Sequence, residues 1–129
     1  MSYLLDTSAL LWFVTDDKRL STLARRVLEE SGNDIYFSLA SVWELAIKAN
    51  LGRGLDLPRP FAEFVDIELQ AERIQILNIE LAHCKHVANM PHHHRDPFDR
   101  LLIAQSLVEN IPIITSDAAF DLYPVERLW

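Results

Sequence analysis

Along this chain, short unbroken apolar runs alternate with longer stretches whose apolar positions recur every three or four residues. "SYLLD" (Ser2 to Asp6) is a brief apolar run ending in an acid, and "TSALLWFV" after it can wind into a helix. "LSTLARRVLEESG" has Leu20, Leu23, Ala24, Val27 and Leu28 at helical spacing and closes at Gly32. "DIYFS" is rich in strand formers, and "SVWELAIKANLG" reads as a helix from Ser41 to a stop at Gly52. Phe61, Phe64, Val65 and Leu69 form one helical stripe, "RIQIL" alternates like a strand with one wetter face, and "ELAHCKHVANM" returns to helical spacing. "DPFDRLLIAQSLVEN" carries the strongest helix pattern, "IPIIT" suits a strand buried on both faces, and "YPVERLW" adds a last short strand. Strands alternating with helices predict an α/β fold, a three-layer α/β/α sandwich around a mostly parallel sheet.

The length changes this picture little: 129 residues, half of them hydrophobic, make one domain (1–129) with one sizeable core. Three Gly and six Pro leave little room for flexible linkers, and no internal repeat is visible. The single cysteine, Cys84, excludes an intramolecular disulfide and suits a reducing compartment. The apolar run from Leu4 to Val14 is interrupted by Asp6 and falls short of the roughly 20 residues of a membrane span. A soluble, cytoplasmic protein with no membrane contact is the expectation.

Charge sharpens the question. A formal net charge of -7 argues against electrostatic capture of nucleic acid, unless bound divalent cations invert the sign where it counts. Four acids fall where a parallel sheet places its ligands, beyond the carboxyl ends of strands or in the next helix's first turn. They are Asp6, Glu44, Asp99 and Asp117. Each also has a structural explanation. Asp6 can cap the helix after it, Ser41 and Glu44 fit a capping box, Asp117 can cap "AAFDLY", and Asp96, Pro97 and Asp99 fit the N-cap, N1 and N3 positions. Taken together, carboxylates converging in a partly buried cleft repel one another and persist where a cation compensates them. Oxygen-only ligands favour a hard ion, Mg²⁺ or Mn²⁺, and such an ion with open positions is common apparatus for attacking a phosphodiester.

In this order and spacing, "LLDTSALLW", "SVWELAIK", "HHHRDPFDRLLIAQ" and "IITSD" resemble the PIN domain, specifically VapC-type toxin ribonucleases, from near Tyr3 to Trp129. The resemblance implies a metal-dependent endoribonuclease acting on RNA as the toxin of a toxin–antitoxin pair. It carries the family's catalytic acids onto Asp6, Glu44, Asp99 and Asp117, with Asp6, Asp99 and Asp117 as metal ligands. Thr115 or Ser116 would be the polar companion of the last acid, with Thr7 as further support. Asp96 is an extra acid, a cap first and a metal or water ligand second. A VapB-like antitoxin covering the active site, a homodimer, and products with 5′-phosphate and 3′-hydroxyl ends are likewise implied.

The three consecutive histidines, His92 to His94, cannot share one face of a helix, and no cysteine near them completes a zinc pattern. His83, Cys84 and His86 are too close in sequence to converge easily. The histidines are expected in a loop leading into the Asp99 helix, with one of them, or Arg95, touching a phosphate. Three other readings stay open. A receiver-type signalling module wants an acidic pair after the first strand and a lysine after the fifth, whereas here Thr7 and Ser8 follow Asp6. A dehalogenase-like phosphatase wants a second aspartate that "DTSAL" lacks. A non-catalytic acidic binding domain would use its acids only as caps. Finally, "LLWFV" is either a helix buried on two sides or a groove for a partner helix.

Overall fold

A computed structural model describes residues 1–52 and 57–129. Five strands, β1 (Ser2–Leu5), β2 (Asp34–Ser38), β3 (Gln75–Leu77), β4 (Ile113–Ile114) and β5 (Arg127–Leu128), form one sheet in the order β3-β2-β1-β4-β5. Every pairing is parallel, with Leu4 opposite Tyr36 on one side and Ile113 on the other. The sheet therefore grows outward from β1 in one direction and then returns to its other side. The switch point lies between β1 and β4, where the Asp6 N–H donates to the Ile114 carbonyl at 3.1 Å.

Side chains of successive strand residues point to opposite faces, and the core divides accordingly. Tyr3, Leu5, Ile35, Phe37 and Ile114 pack on one face against α1 (Thr7–Val14), α2 (Thr22–Glu29), α3 (Leu39–Leu51) and the helical stretch at 61–71. Leu4 and Ile113 face the other way, onto α7 (Pro97–Glu109) through Leu102, Ile103 and Ala104, with Met90, Phe120 and Tyr123 closing the layer. Val87 of α6 (Leu81–Ala88) joins this second core. The three-layer α/β/α sandwich is thus built by β1 and β4, whose continuous apolar runs serve both cores. Among the described residues, no helix is long and apolar enough to cross a membrane.

Several element boundaries differ from the sequence pattern for local reasons. α3 starts at Leu39 because Ser38, at the end of β2, is its N-cap and accepts the Ala40 N–H at 3.0 Å. Ser41 and Glu44 therefore form no capping box; they lie inside the helix, and Ser41 is buried. α2 runs only from its Ser21 cap to Glu29, and its chain leaves the helix at Glu30, before Gly32. At 61–71 the helix is α4 (Phe61–Glu63), a π-helical stretch (Phe64–Glu68) and α5 (Leu69–Ala71). The wider turn brings Phe64 and Leu69, five apart, to the core together. β3 is the sheet edge, with Gln75 and Ile76 both exposed, so its alternation marks no wet face and dry face.

α1 is half-buried around its far end rather than sandwiched. Leu11, Trp12, Phe13 and Val14 lean on the core, while Trp129 meets Trp12 edge-on at 5.8 Å and the Arg19 guanidinium lies 5.0 Å above the Trp12 ring.

Candidate active site

α1 and α3 follow β1 and β2, and α7 leads back into β4, so the N-termini of all three sit at the carboxyl edge of the parallel strands. This is why residues from four distant segments meet there. A cavity of about 480 Å³ at that edge is lined by Asp6, Thr7, Ser8, Leu11, Glu44, Lys48, Asp96, Asp99, Ser116, Asp117 and Phe120. It brings together all four acids singled out from the sequence, together with Thr7, Asp96 and Ser116. Thr115 is fully buried beneath, its Oγ1 accepting the Asp117 N–H at 3.1 Å. Arg95 lies outside this cavity and lines a neighbouring one.

Three of the acids hold helix N-termini as well as the cleft. Asp6 accepts the Ala9 N–H at 2.7 Å, Asp96 accepts Phe98 and Asp99 N–H groups at 2.8 and 3.4 Å, and Asp117 accepts the Ala119 N–H at 3.0 Å. Glu44 and Asp99 cap nothing. Glu44 accepts the Thr7 hydroxyl at 2.8 Å on Oε1, and its Oε2 lies 3.2 Å from Lys48 Nζ. Capping thus accounts for Asp6, Asp96 and Asp117 in part, and leaves Glu44 and Asp99 unexplained.

The electrostatics are those of a crowded acid cluster. Burial pushes the Asp6 carboxyl up to about 6; the Thr115 hydroxyl and the Ala9 N–H pull it down, and the charges of Asp117 and Glu44 raise it further. Asp99 is pushed up to about 7, first by burial and then by Asp96, with Glu44 and Asp117 adding to the rise and His94 opposing it. Carboxyls holding protons so far above the ordinary range mark a place where positive charge is wanted.

His94 faces these carboxyls, and nothing in the sequence separates it from its two neighbours. Its Nε2 lies 3.1 Å from Asp99 Oδ2 and 3.5 Å from Asp117 Oδ2, and one ligand atom from each of the three residues lies within 4.8 Å of the others. The Asp96 N–H donates to its Nδ1 at 3.2 Å. A ring nitrogen that accepts from a backbone donor carries no proton, so the neutral ring keeps its proton on Nε2, facing the two carboxylates. His94 therefore bridges Asp99 and Asp117 as a donor.

The loop that carries it is fixed by a buried arginine. Arg100 Nη1 donates to the Pro91 carbonyl at 2.9 Å and the His94 carbonyl at 3.3 Å, and Arg100 Nη2 donates to the Met90 carbonyl at 3.4 Å. The Tyr123 hydroxyl donates to the Pro91 carbonyl at 2.8 Å and receives the His93 and His94 N–H groups, each at 3.0 Å. Arg100 could be noticed in "DPFDR" beside Asp99, and Lys48 by its spacing of four from Glu44. Nothing in the sequence pointed to Tyr123, whose partners are about thirty residues away.

The donor set fits a hard divalent ion: several carboxylate oxygens, from Asp6, Asp99 and Asp117, face one polar cavity, and no cysteine lines it. Glu44, which lines the same cavity, is already engaged by Thr7 and Lys48.

A model of the PIN domain family matches residues 3–126. No curated protein sequence matches the chain. Among solved structures, the fold is similar to a chain of the VapBC2 complex from Rickettsia felis bound to a promoter DNA fragment (TM-score 0.76, 17% identity, covering 99% of this chain and 98% of that one). It is similar also to a chain of DNA-bound VapBC from Salmonella typhimurium (TM-score 0.71, 13% identity, 99% and 97% covered). A chain of VapBC-1 from nontypeable Haemophilus influenzae gives a TM-score of 0.68 at 19% identity, with 99% and 97% covered.

Proposed function

The chain belongs to the PIN domain family, and from that premise we propose that it is a metal-dependent endoribonuclease, the toxin of a VapBC-type pair. The observation that carries this reading is the convergence of Asp6, Glu44, Asp99 and Asp117, from four separated segments, on one cavity. Two of these acids hold their protons far above the usual carboxylate range. Asp6, Asp99 and Asp117 would hold Mg²⁺ or Mn²⁺, which supplies charge neutralisation at a phosphodiester and lowers the pKa of a bound water.

The chain's own residues do the rest. Glu44, oriented by the Thr7 hydroxyl and the Lys48 ammonium, accepts a proton from an attacking water. Asp96 and Ser116 at the rim orient the entering phosphate and its waters. His94 holds Asp99 and Asp117 at a fixed separation. The water oxygen bonds to phosphorus as the P–O3′ bond breaks and the leaving 3′-oxygen takes a proton from solvent, so the products carry 5′-phosphate and 3′-hydroxyl ends.

The partners proposed are RNA as substrate, a VapB-like antitoxin, and a second copy of the chain, all in the cytoplasm. The neighbouring structures that support the antitoxin are VapBC complexes. A competing reading, an acidic binding domain whose acids only cap helices, is favoured by the cap hydrogen bonds of Asp6, Asp96 and Asp117. RNA incubated with the protein plus Mg²⁺ or Mn²⁺ separates the two. We expect cutting that EDTA stops, that Asp99→Asn abolishes, and that leaves 5′-phosphates. Cyclic-phosphate ends, or cutting insensitive to EDTA, would overturn the assignment, and absence of both cutting and metal binding would leave the capping domain.

A further inference from the structure

Behind His94 lies a second cavity, of about 750 Å³, within the range of sites that enclose small molecules. The first turns of α7 separate it from the acid cavity: Asp96 and Asp99 line one side, Pro97 and Leu101 the other. His94 is the partition, bonded to Asp99 and Asp117 while bordering the second space. Val87 completes an apolar wall, and Arg95 and His92 stand at its rim.

The two arginines of this cavity differ in what they have left to offer. Arg100 is buried and its guanidinium is committed to the carbonyls of Pro91, His94 and Met90. Arg95 is exposed and makes no ion pair or side-chain hydrogen bond with any described residue. In a chain of net charge -7, a free guanidinium beside an acid cluster is a local reversal of sign. A polyanion whose reacting phosphate sits at the acids needs its neighbouring phosphate held by a cation, and a planar guanidinium takes phosphate oxygens two at a time. The apolar wall next to Arg95 suits the face of a nucleobase, and a base can reach it only when unpaired and splayed from its neighbours.

We propose that this second cavity is a subsite for the nucleotide adjacent to the scissile phosphate of a single-stranded RNA, with its phosphate on Arg95 and its base against Val87, Pro97 and Leu101. The proposal rests on the nuclease reading for the position of the scissile phosphate, and adds to it a strand path past His94 into the second cavity.

The chain's single cysteine provides the test. Cys84 is exposed and lines this cavity, so alkylation of its thiol by a maleimide reports occupancy at one site. The measurement uses the full chain with a short labelled oligoribonucleotide, in the Asp99→Asn background so that the RNA stays intact. Single-stranded RNA should slow alkylation of Cys84, and the same sequence as a duplex should not. Arg95→Glu should weaken RNA binding by about tenfold and lower the slope of log affinity against log salt by about one. It should leave the wild-type rise in melting temperature with Mn²⁺ unchanged. RNA binding with no protection of Cys84, equal protection by duplex, or unchanged affinity of Arg95→Glu would each overturn the subsite. If protection and Arg95 dependence hold while the wild type cuts nothing, the subsite stands and the nuclease reading falls. If the wild type cuts RNA and Arg95→Glu cuts it with unchanged KM, the subsite falls alone.

Discussion

At Asp6 and Asp99, burial in the fold pushes an ordinary carboxyl from its usual value near 3.8 up to about 6 and about 7. Between that value and about 7 the folded chain holds protons that the unfolded chain has released. Because the folded state binds more protons, this contribution to stability is present in acid and is lost as pH rises through the window. Removing the Asp99 charge removes the loss. Asp99→Asn, relative to wild type and without metal, should gain stability between about pH 5 and pH 8, as read by thermal melts at both values. A constant difference would mean that Asp99 is not crowded as described. Metal competes with the same protons, so the metal-induced rise in melting temperature should grow with pH up to about 7 and be absent in Asp99→Asn. His94→Ala should keep that rise, because the Asp96 N–H leaves the Nε2 proton, rather than a lone pair, facing the carboxylates. Loss of the metal response in that variant would make His94 a ligand.

The helix N-termini carry a double load at the scale of elements. Asp96 and Asp117 each accept backbone N–H groups at the start of a helical segment and also face the acid cavity. Asparagine keeps the cap and removes the charge, so Asp117→Asn should change stability little and reduce RNA cutting strongly, with a milder reduction for Asp96→Asn. Ser38 and Ser41 give the contrasting case. Ser38 caps α3 from a buried position, and Ser38→Ala should cost about 1 kcal/mol in chemical denaturation, whereas no cap is lost in Ser41→Ala. An equal cost through lost capping at Ser41 would restore the capping box that "SVWE" suggests. The box is absent because α3 begins at Leu39, directly where β2 ends, and places Glu44 in its second turn.

On the scale of the whole molecule, the second core layer fixes the site from behind. Arg100 and Tyr123, both buried, fasten the loop at 90–94 to α7 and to the chain after β4. Tyr123→Phe deletes the hydroxyl that donates to the Pro91 carbonyl and receives two backbone N–H groups. We expect a stability loss of about 1–2 kcal/mol, since the part-buried His93 and His94 N–H groups lose their acceptor while the Pro91 carbonyl keeps its bond from Arg100. Cutting should fall beyond what the loss of folded protein explains, because His94 is no longer held between Asp99 and Asp117. A variant that melts lower yet cuts normally at low temperature would show that the loop does not position the site.

The alternation of continuous apolar runs with helical spacing was enough to give the parallel α/β/α architecture, because β1 and β4 must each feed a core on both faces and only such a sheet allows it. It was also enough to mark Asp6 and Asp117, because the ends of parallel strands are readable as places where an apolar run meets an acid, while Glu44 and Asp99 were marked by their places in the helices of "SVWELAIK" and "DPFDRLLIAQ". Tertiary structure alone decided the contacts that span long stretches of chain. The Glu44 contact to Thr7 spans 37 residues, and Tyr123 reaches Pro91 across 32. Such pairs leave no periodic trace along the chain. The difference between His94 and its two neighbours likewise has no local cause: three identical side chains are sorted by a turn whose shape is set by Arg100 and Tyr123, and only one is turned into the acids.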